Sequence, residues 1–298
     1  AQEEEEEEGE LEWPEGVTPP HPVSDDELAA AEELLEALSW RVPQWAMDGM
    51  HNVWIVKPAG KSRGRGIQCF NRMSDIVKYT QLHEHQAEDK YIAQKYIENP
   101  LLVMGRKFDI RQWVLVTDWN PLTTYVYDEC YVRFCAEDFT LEDLSVFSHL
   151  SNNSIAKYSD RFQSGDVAEG NMWEQARFRA FLGERYGDET LWETKVRPAI
   201  ERAVVDSLKS AQDMTENRKN SFDLYGYDFV VDEDLNVWLI EINASPSMEH
   251  STPVTTRLCM ACQEDTLRLV LDHTHCEERG EGVEALPKQV GGWGLLYR

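Results

Sequence analysis

Charge is distributed unevenly along this 298-residue chain, and the unevenness limits where a folded core can form. Residues 1–40 contain 15 acidic residues and neither lysine nor arginine, within a formal net charge of −26 for the whole chain. A run such as Glu3–Glu8 repels itself and buries no apolar area, so residues 1–22 are predicted to be an acidic disordered tail. The acidic composition also argues against a general nucleic-acid-binding protein. The core is therefore expected in the residues that follow the tail.

The length suits one or two globular domains, at about 150 residues for each domain. No window approaches the roughly 18 to 20 consecutive apolar residues of a membrane helix. No secretory segment lies near the start, so we expect a soluble cytoplasmic protein without membrane association. The chain begins with Ala1 rather than methionine, which leads us to expect a fragment of a longer protein.

Helical signals recur along the chain. Ser24 and Glu27 match the capping box, and the apolar spacing after them predicts a helix within a helical lead-in, residues 23–50. Asn171 is predicted to cap another helix, and Pro198 suits the first turn of a further one. The predicted helices cover residues 25–40, 74–81, 172–183, a segment starting near residue 198, and 258–272.

Strand signals alternate with these helices. A break at Glu98–Pro100 separates one group of strands from the next, as expected where two lobes meet. The mixture of elements predicts an α+β fold with two lobes. Runs rich in β-branched and aromatic residues predict strands over residues 53–57, 91–97, 107–117, 123–134, 222–232 and 237–243.

The last two predicted strands form a hairpin that carries acidic residues. Strict alternation places Leu239, Glu241 and Asn243 on one face of the second strand. The first strand brings Asp228 roughly opposite Glu241. Two carboxylates and an amide oxygen are ligands that Mg²⁺ accepts, so the hairpin is interpreted as a magnesium site, with a solvated sheet face as the alternative. The other face is expected to hold Trp238, Ile240 and Ile242.

Lys107, Asp109 and Arg111 also alternate, so all three are expected to project from one face of a strand. Two cations that flank an acid can hold polyphosphate or developing negative charge, with the acid orienting them or a ribose hydroxyl. A surface salt-bridge ladder is the alternative interpretation.

A basic segment free of acidic residues extends from residue 51 to residue 74. It contains the glycine-rich loop Lys57–Gly66, whose backbone N–H groups and cations suit phosphate oxygens. The loop matches neither the Walker A pattern nor the dinucleotide fingerprint. Together with the alternating strand and the acidic hairpin, it indicates nucleotide-dependent phosphoryl transfer.

The cysteines allow a different interpretation of the C-terminal region. Cys259 and Cys262, followed by His273, His275 and Cys276, have spacing that is compatible with a zinc site. The segment that holds the first two cysteines has apolar residues at helical spacing, which favours buried, reduced thiols instead.

Five motifs lie in order along the chain: Trp54–Pro58, Ser62–Ile67, Gln94–Ile97, Lys107–Arg111 and Trp238–Asn243. Together they resemble the tubulin tyrosine ligase-like family, which has the ATP-grasp fold with nucleotide between two lobes. The resemblance covers roughly residues 51–272 and implies a central lobe over 51–97, a C-terminal lobe over 98–272 and a C-terminal tail over 273–298. It also leads us to expect that the family's N-terminal lobe is largely missing.

The resemblance implies ATP and Mg²⁺ as cofactors and assigns residues to them. Arg111 would stabilise the transferred charge, and Arg133 would handle the amino-acid substrate or intermediate. The implied magnesium ligands are Asp228, Glu241 and Asn243. Residues numbered 63–66 would form a flap over the phosphates and 94–97 the adenine-binding hinge. The implied ATP ligands are Lys57, Arg63, Gly64, Arg65, Gly66, Gln94, Lys95, Tyr96, Ile97, Lys107, Asp109, His149, Ser151 and Asn152.

Three segments resemble the glycylase branch of the family: Gly60–Lys61, Asn171–Trp173 and Gly291–Arg298. The resemblance therefore implies a ligase that joins free glycine to glutamate side chains in the acidic C-terminal tails of tubulin, through an acyl phosphate. It would act in the cytoplasm, on microtubules and the axoneme of cilia or flagella. A glutamate ligase and a catalytically silent microtubule-binding module remain the alternatives.

Overall fold

The computed structural model describes residues 24–42, 45, 51–59, 64–82, 90–163, 171–219, 221–278 and 286–298. The chain divides into two compact units, Ala1–Ala46 and Met47–Arg298. In the first unit, helix α1 spans Asp25–Arg41, and Ser24 and Glu27 form both hydrogen bonds of the predicted capping box. The predicted acidic tail lies outside the described residues. Among the described helices, none combines the length and apolar character needed to cross a bilayer.

The second unit begins with a three-stranded antiparallel sheet, in the order β2-β1-β3. Its strands are β1 (Trp54–Pro58), β2 (Gln68–Phe70) and β3 (Tyr91–Lys95), and helix α2 (Met73–Leu82) follows β2. The predictions of β1, α2 and β3 are confirmed. The three-residue strand β2 was not predicted, because so short a segment shows no alternation that distinguishes it from the preceding loop.

An eight-stranded sheet follows, in which every pairing is antiparallel. Its centre is the long strand β4, which pairs with β8 along one edge and with β5 and β6 along the other. The strands are β4 (Phe108–Trp119), β5 (Leu122–Tyr127), β6 (Tyr131–Phe134), β7 (Met172–Glu174), β8 (Asp223–Val231), β9 (Val237–Asn243), β10 (Gln289–Val290) and β11 (Trp293–Tyr297).

Two sequence predictions in this region are wrong. The strand predicted over residues 123–134 is two strands, β5 and β6, which both pair with β4 and are separated by a turn. The helix predicted to start at Met172 starts at Gln175 instead, because residues 172–174 pair with β6 as strand β7. Both errors arise because strand pairing with distant residues overrides the local pattern.

Helices cover both faces of the large sheet. Even-numbered β4 residues such as Ile110 pack with Phe178 and Val204 in the larger core, whereas Trp113 packs with Leu258 on the other face. The helices are α3 (Val146–His149), α4 (Asn153–Ala156), α5 (Asp160–Gln163), α6 (Gln175–Tyr186), α7 (Arg197–Gln212) and α8 (Pro253–Glu278), with a π-helical segment at Trp192–Val196 before α7.

Helix α8 confirms the helix predicted over residues 258–272 and extends beyond it. Cys259 and Cys262 are free thiols buried in the second core, as the buried-thiol interpretation predicted. Burial raises the pKa of Cys259 to about 11. His273 Nε2 lies 2.8 Å from the Tyr125 hydroxyl oxygen rather than beside the thiols. Within the described part of the chain, no three His, Cys, Asp or Glu side chains group as metal ligands.

Candidate active site

The charged residues at the start of β4 share one face of the large sheet, as their alternation predicted. Lys107 directly precedes β4, and Asp109 and Arg111 lie within it. Their exposed fractions are 7%, 5% and 6%, so the surface-ladder interpretation is wrong. Asp109 pairs with Arg133 on β6, and Arg111 pairs with Asp228 on β8, which places these four side chains side by side.

The four side chains form a continuous buried ion-pair network. Arg111 binds Asp228 with two hydrogen bonds, Nε to Oδ1 at 2.5 Å and Nη2 to Oδ2 at 3.0 Å. Arg133 bridges the acids, with Nε 2.6 Å from Asp109 Oδ1 and Nη2 2.8 Å from Asp228 Oδ2. Ser151 donates a further hydrogen bond to Asp109. Buried charges are stable only when paired in this way.

The network shifts the pKa of Asp228, Arg111 and Arg133 toward the charged forms. Burial alone would raise the pKa of Asp228, but Arg133 and Arg111 outweigh it and lower the pKa below its ordinary value. Burial alone would lower the pKa of Arg111, but the Asp228 carboxylate raises it above its ordinary value. The site therefore holds two fixed guanidinium groups, which are suited to stabilising a phosphoryl group.

The acidic hairpin has the predicted pairing, since Asp228 lies opposite Glu241. Asn243 donates through Nδ2 to Asp228 Oδ2 and to the Gly226 carbonyl, each at 3.2 Å. Desolvation by the surrounding protein and the neighbouring Asp228 carboxylate raise the pKa of Glu241. A divalent cation would relieve this repulsion, so the donor set fits Mg²⁺. Glu241 is exposed, whereas both Asp228 oxygens already accept bonds from arginines.

A β-bulge alters the predicted faces of β9. The register shifts so that Leu239 pairs with Phe229 while Glu241 pairs with Asp228, which leaves Ile240 as the extra residue. Leu239 therefore packs against the larger core, and Ile240 lines a cleft between the two sheets. The expectation that Leu239 shares the face of Glu241 is wrong, because one inserted residue reverses the alternation.

Lys57 connects the two sheets. It lies on β1, and its Nζ donates to Gln94 Oε1 at 2.7 Å and to the Ile240 carbonyl on β9 at 3.2 Å. Burial lowers the pKa of Lys57, and the nearby Lys107 ammonium acts in the same direction. An anion beside the two ammonium groups would offset both effects.

A cleft lies between the sheets and is lined by all four residues of the predicted hinge, 94–97. Its apolar wall is formed by Ile55, Val230 and Ile240. An apolar wall that ends in lysine ammonium groups suits a flat ring with an anionic extension. Six predicted ATP ligands line the cleft: Lys57, Gln94, Lys95, Tyr96, Ile97 and Lys107.

Glu98 holds the hinge in place, and its role was not predicted. Its carboxylate accepts hydrogen bonds from the backbone N–H groups of His51 and Val53, at 2.8 and 2.7 Å, and from Lys95 Nζ at 2.7 Å. Burial would raise the pKa of Glu98, but these donors lower it overall. The only sequence signal was a glutamate before Asn-Pro, which indicates a break rather than a buried acceptor.

His149 contacts two residues that line the cleft, Tyr96 and Lys107. Its Nε2 donates to the Asp143 carbonyl at 3.2 Å, so the neutral ring accepts through Nδ1 from the Tyr96 hydroxyl at 2.8 Å. Lys107 donates to the His149 carbonyl at 2.9 Å. Burial and Lys107 lower the pKa of His149 to about 4. With both ring nitrogens engaged, His149 orients Tyr96 and Lys107.

The described part of the glycine loop lies against the segment that follows α3. Gly64 and Gly66 have φ angles of +73° and +72°, which favour glycine. A Cβ at Gly64 would lie 3.2 Å from Asn152 Oδ1, so the structure brings these two predicted residues together. Arg65 is exposed, and Arg63 lies outside the described residues.

Comparison with known proteins agrees with the resemblance. The model of the tubulin-tyrosine ligase family matches residues 12–279. Tubulin glycylase 3C of Tetrahymena thermophila is 48% identical over 251 residues, which cover 84% of this chain and 23% of that protein. Human protein monoglycylase TTLL8 is 44% identical over 274 residues, 91% of this chain and 31% of that protein.

Human tubulin monoglycylase TTLL3 is 47% identical over 251 residues, which cover 83% of this chain and 32% of that protein. The chain thus spans about a quarter to a third of the length of these curated relatives. The family match covers the three-stranded sheet, strands β4 to β9 of the large sheet and all the described site residues. The chain belongs to the tubulin-tyrosine ligase family.

Proposed function

We propose that this chain is the catalytic region of an ATP-dependent ligase that adds glycine to glutamate side chains in the C-terminal tails of tubulin. The observation that carries the proposal is the buried Asp109–Arg133–Asp228–Arg111 network beside an apolar cleft lined by three lysines. An ATP-grasp fold, with a central lobe over 51–97 and a C-terminal lobe over 98–272, accommodates both features.

ATP is proposed to lie in the cleft between the sheets. The adenine would contact the hinge, residues 94–97, and the phosphates would extend toward Lys57 and Lys107. The Asp109 carboxylate would orient the ribose or the neighbouring cations. The flap, residues 63–66, together with Asn152, would close over the phosphates and exclude water.

Mg²⁺ would be held by Asp228, Glu241 and Asn243, whose oxygens are of the kind that this ion prefers. When bound, it would neutralise phosphate charge during transfer. Arg111, fixed by Asp228, would donate to the phosphoryl oxygens from a position that needs no rearrangement. Arg133 would orient the amino-acid substrate or the intermediate.

The proposed reaction has two steps. A carboxylate oxygen of the acceptor glutamate attacks the γ-phosphorus of ATP, which forms an acyl phosphate and releases ADP. The glycine amine then attacks the acyl carbon, so that a C–N bond forms, the C–O bond to phosphate breaks and the amine loses a proton. Exclusion of water is required because the acyl phosphate hydrolyses.

The acceptor is proposed to be the acidic C-terminal tail of tubulin, in the microtubules of a cilium or flagellum. The acceptor would be attracted to the basic segment 51–74 despite the net charge of −26. This attraction should weaken as salt screens it over the Debye length, about 8 Å at physiological ionic strength.

The three hypotheses, glycine ligation, glutamate ligation and a silent module, differ in what is added to tubulin. Purified protein is incubated with tubulin, MgATP and labelled glycine or labelled glutamate, and the tubulin tails are analysed by mass spectrometry. We expect ATP-dependent addition of glycine, well above that of glutamate. Addition of glutamate alone would support the other ligase, and the absence of tubulin-dependent ATP consumption would support the silent module.

The metal assignment is tested by Glu241→Gln, which removes a charge and keeps the side-chain volume. We expect ligation to be abolished while circular dichroism stays unchanged, because the amide is a poor magnesium ligand. The exposed Glu216→Gln serves as the matched control and should retain normal turnover. Near-normal ligation by Glu241→Gln would refute the metal assignment.

A further inference from the structure

A glycine occupies the centre of the site, on the same face as the buried ion pairs. Gly226 is a buried residue of β8, two positions before Asp228. It pairs with Trp113 on β4 and with Asn243 on β9, so strands flank it on both sides. Glycine weakens the interior of a strand. Its presence there often marks a place where another part of the molecule approaches the backbone closely.

That close approach is made by two side chains, Pro246 and Arg111. A Cβ built on Gly226 would lie 3.2 Å from Arg111 Cδ, 3.3 Å from Arg111 Nε and 2.8 Å from Pro246 Cβ. The stem of the arginine therefore lies directly on the backbone of Gly226, and Pro246 borders the same space. Among the described glycines, Gly226 is not one of those with positive φ, so space rather than backbone conformation accounts for glycine here.

Arg111 has little freedom to move away from an added methyl group. Its backbone is held by pairing with β6 and β8, and its guanidinium is held by both oxygens of Asp228. Asp228 in turn binds Arg133. A displacement of Arg111 Nε would therefore disturb the shared carboxylate as well as the guanidinium.

We infer that Gly226 is a positioning residue for Arg111: its missing side chain lets the guanidinium lie flat beside Asp228, in the orientation required for phosphoryl transfer. The effect on turnover rests on the proposed function, whereas the effect on the ion pair does not. The alternative is that Gly226 serves only the packing of Pro246 in the loop that leads to α8.

The test begins with Gly226→Ala, and its matched control is Gly294→Ala on β11. A Cβ at Gly294 would lie 3.2 Å from the flexible end of Gln289, so the control adds the same methyl group to a strand glycine outside the site. We expect Gly226→Ala to lower kcat at least about tenfold with KM for ATP within about threefold, because small misplacements of catalytic groups are costly. The control should stay within about twofold.

Two further backgrounds separate the roles of Arg111 and Pro246. Pro246→Gly removes the closest contact but leaves the contact with Arg111, so kcat of the Gly226→Ala, Pro246→Gly protein should remain low relative to Pro246→Gly alone. In an Arg111→Lys background, which lacks the bidentate guanidinium, Gly226→Ala should cost less than about twofold.

Urea unfolding of the same variants tests the geometry without any turnover. Gly226→Ala should lower the unfolding midpoint, and most of that shift should disappear in the Arg111→Lys background because the strained ion pair is already gone. Full recovery of kcat by Pro246→Gly, or additive midpoint shifts in the Arg111→Lys background, would overturn the inference. If the parent protein ligates neither amino acid, the proposed function fails, and the unfolding cycle still decides the role of Gly226.

Discussion

Replacing His149 with asparagine should make the stability of this protein less dependent on pH. The ring is buried, with 1% of the residue exposed, and it accepts a hydrogen bond from the Tyr96 hydroxyl through Nδ1. Asparagine keeps a hydrogen-bond acceptor near that hydroxyl but has no titratable group. The substitution therefore removes the proton equilibrium while retaining part of the contact.

The magnitude follows from the two pKa values. The pKa of His149 is lowered from its ordinary value of 6.5 to about 4 in the folded protein. As pH falls below 6.5 the unfolded chain binds a proton that the folded chain refuses, so stability decreases until both states are protonated near pH 4. Between about pH 7.5 and about pH 5.5 the integrated loss is about 1.3 kcal/mol.

The assay is urea unfolding, followed by tryptophan fluorescence at those two pH values, both above the isoelectric point of about 4.6. The free energy of unfolding of the parent protein should fall by about 1.3 kcal/mol more than that of His149→Asn. The exposed His250→Asn serves as the control and should follow the parent protein. An identical pH response of His149→Asn and the parent would refute the argument that the buried ring stays neutral.

Three further substitutions should lower the free energy of unfolding in urea. Glu98→Gln leaves Lys95 without its buried partner, at a cost of about 3 kcal/mol, and unchanged stability would contradict the hinge assignment. Asp232→Ala removes four hydrogen bonds in the β8–β9 turn and should cost about 3 kcal/mol, against about 0.5 kcal/mol or less for the exposed Asp234→Ala. Phe178→Ala should cost about 3 to 5 kcal/mol, and a smaller loss would mean that the core closes around the cavity.

Local patterns predicted the elements that carry the site. Alternation on β4 placed Asp109 and Arg111 on one face, and the hairpin pattern paired Asp228 with Glu241. Both predictions are confirmed because the period of two along a strand is a property of the backbone. The same rule failed at Leu239, where one bulged residue reversed the faces.

Pairings between distant segments were not predictable from local patterns. Residues 172–174 were predicted as helix and form β7, because β6 provides a partner for them. The roles of Glu98 and Gly226 depend on neighbours that are 45 and 115 positions away, Val53 and Arg111. No periodic pattern in the sequence indicates contacts between residues so far apart.

The sequence by itself determined the family, the order of most strands and the types of chemical groups in the site. Motifs and alternation are local features, so they can be recognised without knowledge of the fold. The tertiary structure decided how those groups are paired: Arg133 bridges Asp109 and Asp228, while Arg111 lies on Gly226. The physical reason is that buried charges take their partners from whichever strands the sheet brings together, and that choice belongs to the whole fold.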